Sequence, residues 1–192
     1  MAHALRFLRE FVRTPHRVGA VAPSSRALAE LIVDAAKVRE ASVIIEFGAG
    51  TGVFTEVIES RRRPDSLFFA IEINPRFADM TRNRCPGVTL HEDSATNARK
   101  HLAAAGVASC DCIVSGLPWA SFDEALQNAI LDTVLDVLEP GGRLATFSYI
   151  QSPFLRGGKR FRHTLETRFS KVTRTRTVWG NLPPAFVYCA EK

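Results

Sequence analysis

A glycine-rich segment in the first third of the chain has the residue types of a ligand-binding turn. It reads Glu46-Phe-Gly-Ala-Gly-Thr-Gly52 and directly follows apolar, β-branched residues that predict a buried strand. Glycines in such a turn let the backbone approach a ligand closely at the amino terminus of a helix. Dinucleotide-binding turns have the pattern G-x-G-x-x-G, whereas this turn is G-x-G-x-G preceded by Glu46. A carboxylate there would repel a pyrophosphate and attract a free α-amino group.

Two further acidic residues follow predicted strands. Glu72 ends a strand predicted at 67–73, and Asp93 follows one predicted at 88–91. The carboxyl ends of parallel strands lie at one edge of a sheet, where these carboxylates could meet ribose hydroxyls and an adenine amino group. An amino acid joined to an adenine nucleoside describes S-adenosyl-L-methionine (SAM), which we expect as the cofactor. The residues predicted to contact it are Glu46, Gly48, Ala49, Gly50, Glu72, Ile73, Asp93, Ser94 and Ser115.

Strand and helix patterns alternate along the chain. This alternation predicts an α/β fold with a mostly parallel sheet, helices on both faces and an antiparallel hairpin at one edge. We expect a single domain over residues 1–192, with 1–36 as a helical cap. The predicted strands are 43–47, 67–73, 88–91, 111–115, 143–149, 172–179 and 186–190. The predicted helices are 53–60, one opened by Pro75, 95–105, 122–138 ended by Pro140-Gly-Gly142, and 154–168.

The positive charge is concentrated in two segments. Residues 1–17 carry a net charge of +3 and residues 156–176 a net charge of +7, although the whole chain is only +5. Within the first segment, residues 2–13 have helical periodicity with a cationic face. Such clusters attract polyanions, either nucleic acid or an anionic lipid surface.

Other classes of protein are disfavoured by the sequence. We see neither a run of 18 apolar residues nor a signal peptide, and therefore expect a cytoplasmic protein. The four cysteines lack metal-ligand spacing, so we expect reduced thiols and no metal.

The glycine turn and the two acidic strand ends resemble those of the class I methyltransferases, over nearly the whole chain. The resemblance implies a Rossmann-like, seven-stranded sheet whose last pair is antiparallel. It also implies that the cofactor contacts Glu46, Gly48, Gly50, Glu72 and Asp93.

The segment after the fourth predicted strand bears on the methyl acceptor. It reads Ser115-Gly-Leu-Pro-Trp119 and resembles the Asn-Leu-Pro-Tyr of enzymes that methylate base amines. Gly116, however, stands where those enzymes have a polar residue that orients the amine, and Ser115 is the neighbouring hydroxyl that could replace it.

A narrower resemblance, to the bacterial phospholipid N-methyltransferases, rests on three segments. They are Val18–Ser25, Ser115–Trp119 and Asn181–Ala185, of which the first two also resemble rRNA adenine dimethyltransferases. The phospholipid group implies stepwise methylation of phosphatidylethanolamine by a protein peripheral on the inner face of the membrane. Its amino-terminal helix would dock on anionic lipid, with the basic segment 156–176 contributing.

This interpretation assigns roles around the predicted cleft. Trp119 could hold an ammonium group by cation–π attraction, and Tyr149 and Ser115 are further catalytic candidates. Arg160 or Lys159, with Pro118 beside them, could hold the lipid phosphate.

Three alternatives stay open: an rRNA adenine N6-methyltransferase, a small-molecule amine methyltransferase, and a cofactor-binding module without activity. Nucleic acid is the less favoured partner, because no helical RNA-binding domain follows the last predicted strand.

Overall fold

Strands and helices alternate through residues 23–192, the part of the chain that the computed structural model describes. The strands are β1 (Val43–Phe47), β2 (Leu67–Ile71), β3 (Thr89–His91), β4 (Cys110–Ser115), β5 (Leu138–Tyr149), β6 (Lys171–Arg174) and β7 (Ala185–Glu191). The helices are α1 (Arg26–Ala35), α2 (Val53–Arg61), α3 (Pro75–Arg84), α4 (Ala98–Ala104), α5 (Glu124–Val137) and α6 (Arg156–Arg168).

The strands form one seven-stranded sheet in the order β3-β2-β1-β4-β5-β7-β6. Strands β1 to β5 run parallel to one another, and β7 is antiparallel to both β5 and β6. The expected fold class, including the antiparallel edge, is confirmed. Because the strand order reverses at β1 and β4, their carboxyl ends flank the crevice where such sheets bind ligands.

Apolar side chains alternate between the two faces of the sheet. Ile45 and Phe47 of β1 belong to one buried cluster, and Ile44 belongs to the other, which α1 and α2 cover. Helix α1 begins where the Ser25 side chain accepts a hydrogen bond from the Leu28 amide, as an N-cap residue does. The two buried clusters and the capped helix hold the sheet in place, and with it the carboxyl ends of its strands.

The last third of the chain differs from the prediction in two places. The strand predicted at 172–179 stops at Arg174. The Val187 amide donates to the side-chain hydroxyl of Thr175 there, where a regular strand would offer a backbone carbonyl. Val178 then forms only an isolated bridge to Ala185. Pro140-Gly-Gly142, predicted to end a helix, lies inside the irregular start of β5, where the β4–β5 register shifts.

The predictions for the helix at 2–13 and for most of Val18–Ser25 lie outside the described residues. Within residues 23–192, no helix is both long enough and apolar enough to cross a membrane.

Candidate cofactor and substrate site

The glycine turn after β1 is fixed to its neighbours by hydrogen bonds. Gly48, Gly50 and Gly52 all have positive φ angles, of 75°, 59° and 79°, which side chains rarely tolerate. The Gly48 amide donates to the Ile71 carbonyl of β2 at 2.8 Å. The Thr81 hydroxyl of α3 donates to the Gly50 carbonyl at 3.0 Å. The turn is therefore held between β2 and α3.

A cleft opens at the carboxyl ends of β1, β2, β3 and β4. Its lining combines two carboxylates and one hydroxyl with apolar side chains, as a nucleoside site requires. Five of the predicted cofactor residues line it, together with four that the sequence analysis missed. The lining consists of Gly48, Ile71, Glu72, Ile73, Asp93, Ser94, Ala95, Leu117 and Ile130.

Glu46 lies beneath the turn and is fully buried. One carboxyl oxygen accepts a 2.7 Å hydrogen bond from the Thr55 hydroxyl of α2. The other, Oε1, has no partner. Burial raises the pKa of Glu46 to about 8, with a smaller contribution from the charge of Glu72 and opposition from the Thr55 hydrogen bond. An unpartnered carboxyl oxygen in this position suits a cationic amino group.

Glu72 joins the glycine turn to the end of β2. Its Oε2 accepts from the Gly50 amide at 2.9 Å and its Oε1 from the Asn74 amide at 2.8 Å. Burial raises the pKa of Glu72, and these two amides partly oppose that rise. Each carboxyl oxygen retains a second acceptor position, so the side chain can still meet hydroxyl groups in the cleft.

Asp93 is held in place by three donors. The Ser94 amide and the Asn97 side chain donate to Oδ1, each at 2.7 Å, and Nε2 of His101 lies 2.9 Å from Oδ2. Burial alone would raise the pKa of Asp93, but these hydrogen bonds outweigh it and lower the pKa. The His101 ring also stacks on His91, with ring centroids 3.9 Å apart. Asp93 is thus a fixed carboxylate at the cleft wall.

The loop after β4 crosses directly over the glycine turn. The Gly116 amide donates to the Phe47 carbonyl at 2.8 Å, and a β-carbon on Gly116 would overlap the Gly48 carbonyl oxygen. A β-carbon on Gly48 would in turn lie 2.8 Å from a methyl carbon of Leu117. Position 116 therefore excludes any side chain, including the polar residue expected for a base-amine enzyme.

Ser115 and Trp119, both predicted as catalytic candidates, are buried and hydrogen-bonded to each other. The Ser115 hydroxyl accepts from the Leu117 amide and from the indole nitrogen of Trp119, at 3.3 and 3.2 Å. The indole stacks on Phe161 at 4.5 Å and is only 3% exposed. Because Phe161 covers the ring, Trp119 cannot present that face to an ammonium group in this conformation. Both residues instead fix the shape of the loop.

Arg160, predicted to hold the lipid phosphate, donates hydrogen bonds to two groups of the protein. Its Nη2 donates to the Phe122 carbonyl at 2.9 Å and its Nε to the side chain of Gln127 at 3.0 Å. The amide nitrogen of Gln127, which is buried, donates to the Trp119 carbonyl at 2.6 Å. Arg160 and Gln127 therefore hold the β4 loop against α5 and α6. Lys159 is exposed, and Pro118 is half-buried where the turn Trp119–Ser121 begins.

Comparison with known proteins identifies the family. A family model described as a methyltransferase domain matches residues 44–142, which include the glycine turn and both acidic strand ends. An ornithine lipid N-methyltransferase from Singulisphaera acidiphila is 32% identical over 185 residues, covering 95% of this chain and 92% of its own. The chain belongs to the methyltransferase-domain family.

Solved methyltransferases share the fold. An O-methyltransferase from Bacillus cereus, in complex with S-adenosylhomocysteine (SAH), has a TM-score of 0.69 at 14% identity over 95% of this chain and 90% of its own. The O-methyltransferase TomG from Streptomyces achromogenes, in complex with SAM, has a TM-score of 0.67 at 19% identity over 95% and 88%. With the match to the methyltransferase family model over residues 44–142, the chain is a SAM-dependent methyltransferase, and the expected cofactor is confirmed.

The residues of the methyltransferase fit this cofactor. Oε1 of Glu46 lies beneath the turn without a hydrogen-bond partner, and Gly48 has no side chain to block the approach of a ligand. The carboxylates of Glu72 and Asp93 line the cleft. Ala49 is buried within the turn and does not line the cleft. Sequence reasoning could have found Ala95 and Leu117, which adjoin predicted residues, but Ile130 comes from α5 and carried no signal.

Tyr149 ends β5 at the same edge of the sheet and packs edge-to-face on Phe147 at 5.3 Å. Burial raises the pKa of its phenol further above neutrality, so at neutral pH Tyr149 is protonated and can donate a hydrogen bond. Three of the four cysteines are buried and all are free thiols. In the described range, 23–192, no cluster of His, Cys, Asp and Glu side chains has the geometry of a metal site.

Proposed function

We propose that this methyltransferase transfers methyl groups to the headgroup amine of a membrane lipid. The observation that carries the proposal is the 32% identity to an ornithine lipid N-methyltransferase over 95% of the chain. Phosphatidylethanolamine is the substrate that the sequence analysis favours. Ethanolamine and ornithine headgroups both offer a primary alkyl amine near an anionic group, and this shared chemistry defines the proposed substrate.

The cofactor, when bound, supplies an electrophilic methyl group on its sulfonium centre. In our proposal Glu46 faces its amino group, Gly48 and Gly50 let it approach the backbone, and Glu72 accepts from the ribose hydroxyls. Asp93, with Ser94, accepts from the adenine amine, while the apolar cleft residues Ile73 and Leu117 flank the ring. The task of the chain is then to place a neutral amine in line with the methyl group.

The absence of a side chain at Gly116 supports an alkyl amine as the methyl acceptor. The lone pair of an exocyclic base amine is delocalised into the ring, so such enzymes orient and polarise it with a side-chain acceptor. A neutral alkyl amine is already nucleophilic and needs no such acceptor. Since Gly116 has no room for a side chain, the loop suits a lipid amine better than an adenine.

The anionic group of the headgroup requires a cation other than Arg160. That guanidinium is engaged by Phe122 and Gln127, whereas Lys159 is exposed on the same helix. We therefore assign the headgroup anion to Lys159. Proton removal from the ammonium group falls to water or to the lipid's own anion, because Tyr149 is protonated at neutral pH and burial raises its pKa further.

The proposal includes a peripheral location on the inner face of the membrane and a single domain with residues 1–36 as a cap. The Ser25 amide donates to the side chain of Asn181 at 2.8 Å, so α1 begins beside the β6–β7 connection.

Methyl transfer from isotopically labelled SAM tests this function. Separate reactions offer vesicles containing phosphatidylethanolamine, vesicles containing ornithine lipid, free ethanolamine, and protein-free rRNA. Label in either lipid supports the proposal and identifies the headgroup. Label only in rRNA, or only in free ethanolamine, would overturn it.

A further inference from the structure

Large apolar side chains are exposed at one edge of the sheet. In the described part of the chain, five such residues have at least 48% of their surface exposed, and four of them belong to two connections. Phe154 and Leu155 lie in the connection after β5, at 79% and 51% exposed, and Trp179 and Leu182 lie between β6 and β7, at 73% and 70%. The fifth, Met80, is on α3.

The two connections leave the sheet side by side. Tyr149, the last residue of β5, pairs with Ala185, the first residue of β7. The next residue, Ile150, donates its amide to the Pro184 carbonyl at 3.1 Å. Because β5 is parallel to β4, this is the same edge at which the loops after β1, β2 and β4 form the cofactor cleft.

Unpaired cations flank these apolar residues. Arg156 and Lys159 follow Leu155 on α6, and Arg176 precedes Trp179; all three are exposed and have no ion-pair partner within residues 23–192. Other cations of the basic segment are engaged instead: Arg162 pairs with Glu166, Arg168 with Asp132, and Arg174 lies over the Phe186 ring. Three free cations of this segment therefore lie beside the exposed apolar residues, whereas Lys171, which is also exposed, lies at the opposite end of β6.

We propose that these two connections form a docking surface, defined by Phe154, Leu155, Trp179 and Leu182, for an anionic phospholipid bilayer. Exposed apolar side chains bordered by cations match the layered chemistry of that surface, in which lipid phosphates lie above acyl chains. Tryptophan in particular is favoured at the boundary between headgroups and hydrocarbon. The unpaired Arg156, Lys159 and Arg176 complement the negative surface potential.

Docking through this surface turns the mouth of the cleft toward the lipid. A headgroup could then reach the loop at Gly116 while its acyl chains stay in the bilayer. This consequence rests on the proposed function, whereas docking itself does not.

Tryptophan fluorescence tests the docking directly, because the two tryptophans have opposite environments. Trp119 is 3% exposed and Trp179 is 73% exposed. With the full chain and vesicles of phosphatidylglycerol and phosphatidylcholine, we expect a blue shift of the Trp179 emission and quenching by brominated acyl chains. In Trp179→Phe both signals should disappear. Emission that is unchanged by vesicles would overturn the proposal.

Sedimentation with the same vesicles gives a second measurement. The variant Trp179→Ser/Leu182→Ser should bind at least five times more weakly than the parent, whereas Met80→Ser, which alters the exposed apolar residue on α3, should bind normally. Thermal denaturation checks that both variants are folded. Equal binding by the parent and a folded double variant would contradict the proposal.

Activity separates the docking proposal from the proposed function. The double variant should lose methyl transfer to phosphatidylethanolamine in vesicles and keep it toward dissolved short-chain phosphatidylethanolamine. If the parent methylates neither form but its Trp179 is still quenched by vesicles, the proposed function fails and the docking surface stands.

Discussion

The Thr55 hydroxyl donates a 2.7 Å hydrogen bond to Oε2 of Glu46, while Oε1 of the same buried carboxyl group has no partner. One oxygen is thus fixed to α2, and the other is available beneath the glycine turn. Because burial raises the pKa of Glu46 to about 8, the cofactor-free protein holds this group mostly protonated at neutral pH.

The stability of the cofactor-free protein should therefore fall as the pH rises from the ordinary pKa of a glutamate toward the raised pKa of Glu46. Between the ordinary value of 4.5 and about 8, the unfolded chain has lost the Glu46 proton and the folded chain keeps it. Folding then takes up a proton, and this group can cost up to about 1.4 kcal/mol per pH unit. In Glu46→Gln, the plot of Tm against pH should be flatter between pH 5.5 and 8. Parallel plots for the two proteins would contradict the raised pKa.

Cofactor binding should release a proton from Glu46. An ammonium group at Oε1 stabilises the carboxylate, so binding shifts the group from its protonated to its ionised form. Calorimetry of SAH binding at pH 7, in two buffers with different ionisation enthalpies, should show release of close to one proton. Glu46→Gln should bind with almost no release. If the unaltered protein releases none, Glu46 does not face the amino group.

A methyl group at position 116 should disrupt the contact between the two loops. Gly116→Ala would overlap the Gly48 carbonyl, and such overpacking costs about 1–3 kcal/mol. We expect a lower Tm and weaker binding of SAH, because the glycine turn must move. Gly87→Ala is the matched control, since a β-carbon there meets no atom within 4 Å. A Gly116→Ala protein with normal Tm and affinity would show that the loops yield easily.

Replacing Arg160 with lysine should lower the stability of the protein more than replacing Lys159 with arginine. In Arg160→Lys a single ammonium group cannot satisfy both Phe122 and Gln127, and the lost hydrogen bonds cost about 1–3 kcal/mol. The free energy of unfolding should fall, and kcat should fall with it as the β4 loop loosens. Lys159→Arg, an exposed neighbour on α6, should leave stability unchanged. A normal free energy of unfolding with a raised KM for lipid vesicles would instead indicate that Arg160 binds the headgroup anion.

Asp93→Asn should weaken SAH binding without unfolding the protein. A hydrogen bond to a charged group contributes about 1.5–3 kcal/mol, which corresponds to roughly a tenfold to hundredfold loss of affinity. His101→Leu should give a smaller loss, because Asp93 keeps its bonds from Ser94 and Asn97. Asp79→Asn, which alters an exposed ion pair with Arg82, serves as the control. Equal affinities of Asp93→Asn and Asp79→Asn would remove Asp93 from the adenine site.

The parts of the site that sequence could predict are those set by local pattern. The glycine turn, Glu72 and Asp93 each follow a predicted strand, and β-sheet geometry alone brings strand ends together. Trp119 and Arg160 were assigned to the wrong environment, because their burial depends on Phe161 and Phe122, which are distant in sequence. Lys159 and Arg160 are adjacent and both positively charged, so only the helix orientation decides which one faces inward. The early end of β6 depends on one hydroxyl, that of Thr175, replacing a backbone acceptor.

The crossing of Gly48 and Gly116 also constrains how substrate preference can evolve. A polar side chain at 116, the feature of base-amine enzymes, collides with the Gly48 carbonyl unless the glycine turn shifts as well. A single substitution would therefore damage cofactor binding before it offered a new acceptor for the amine. Because the clash is with a backbone oxygen that any residue at position 48 would carry, no exchange of the side chain at 48 relieves it, and a polar residue at 116 would require the backbone of the glycine turn to shift.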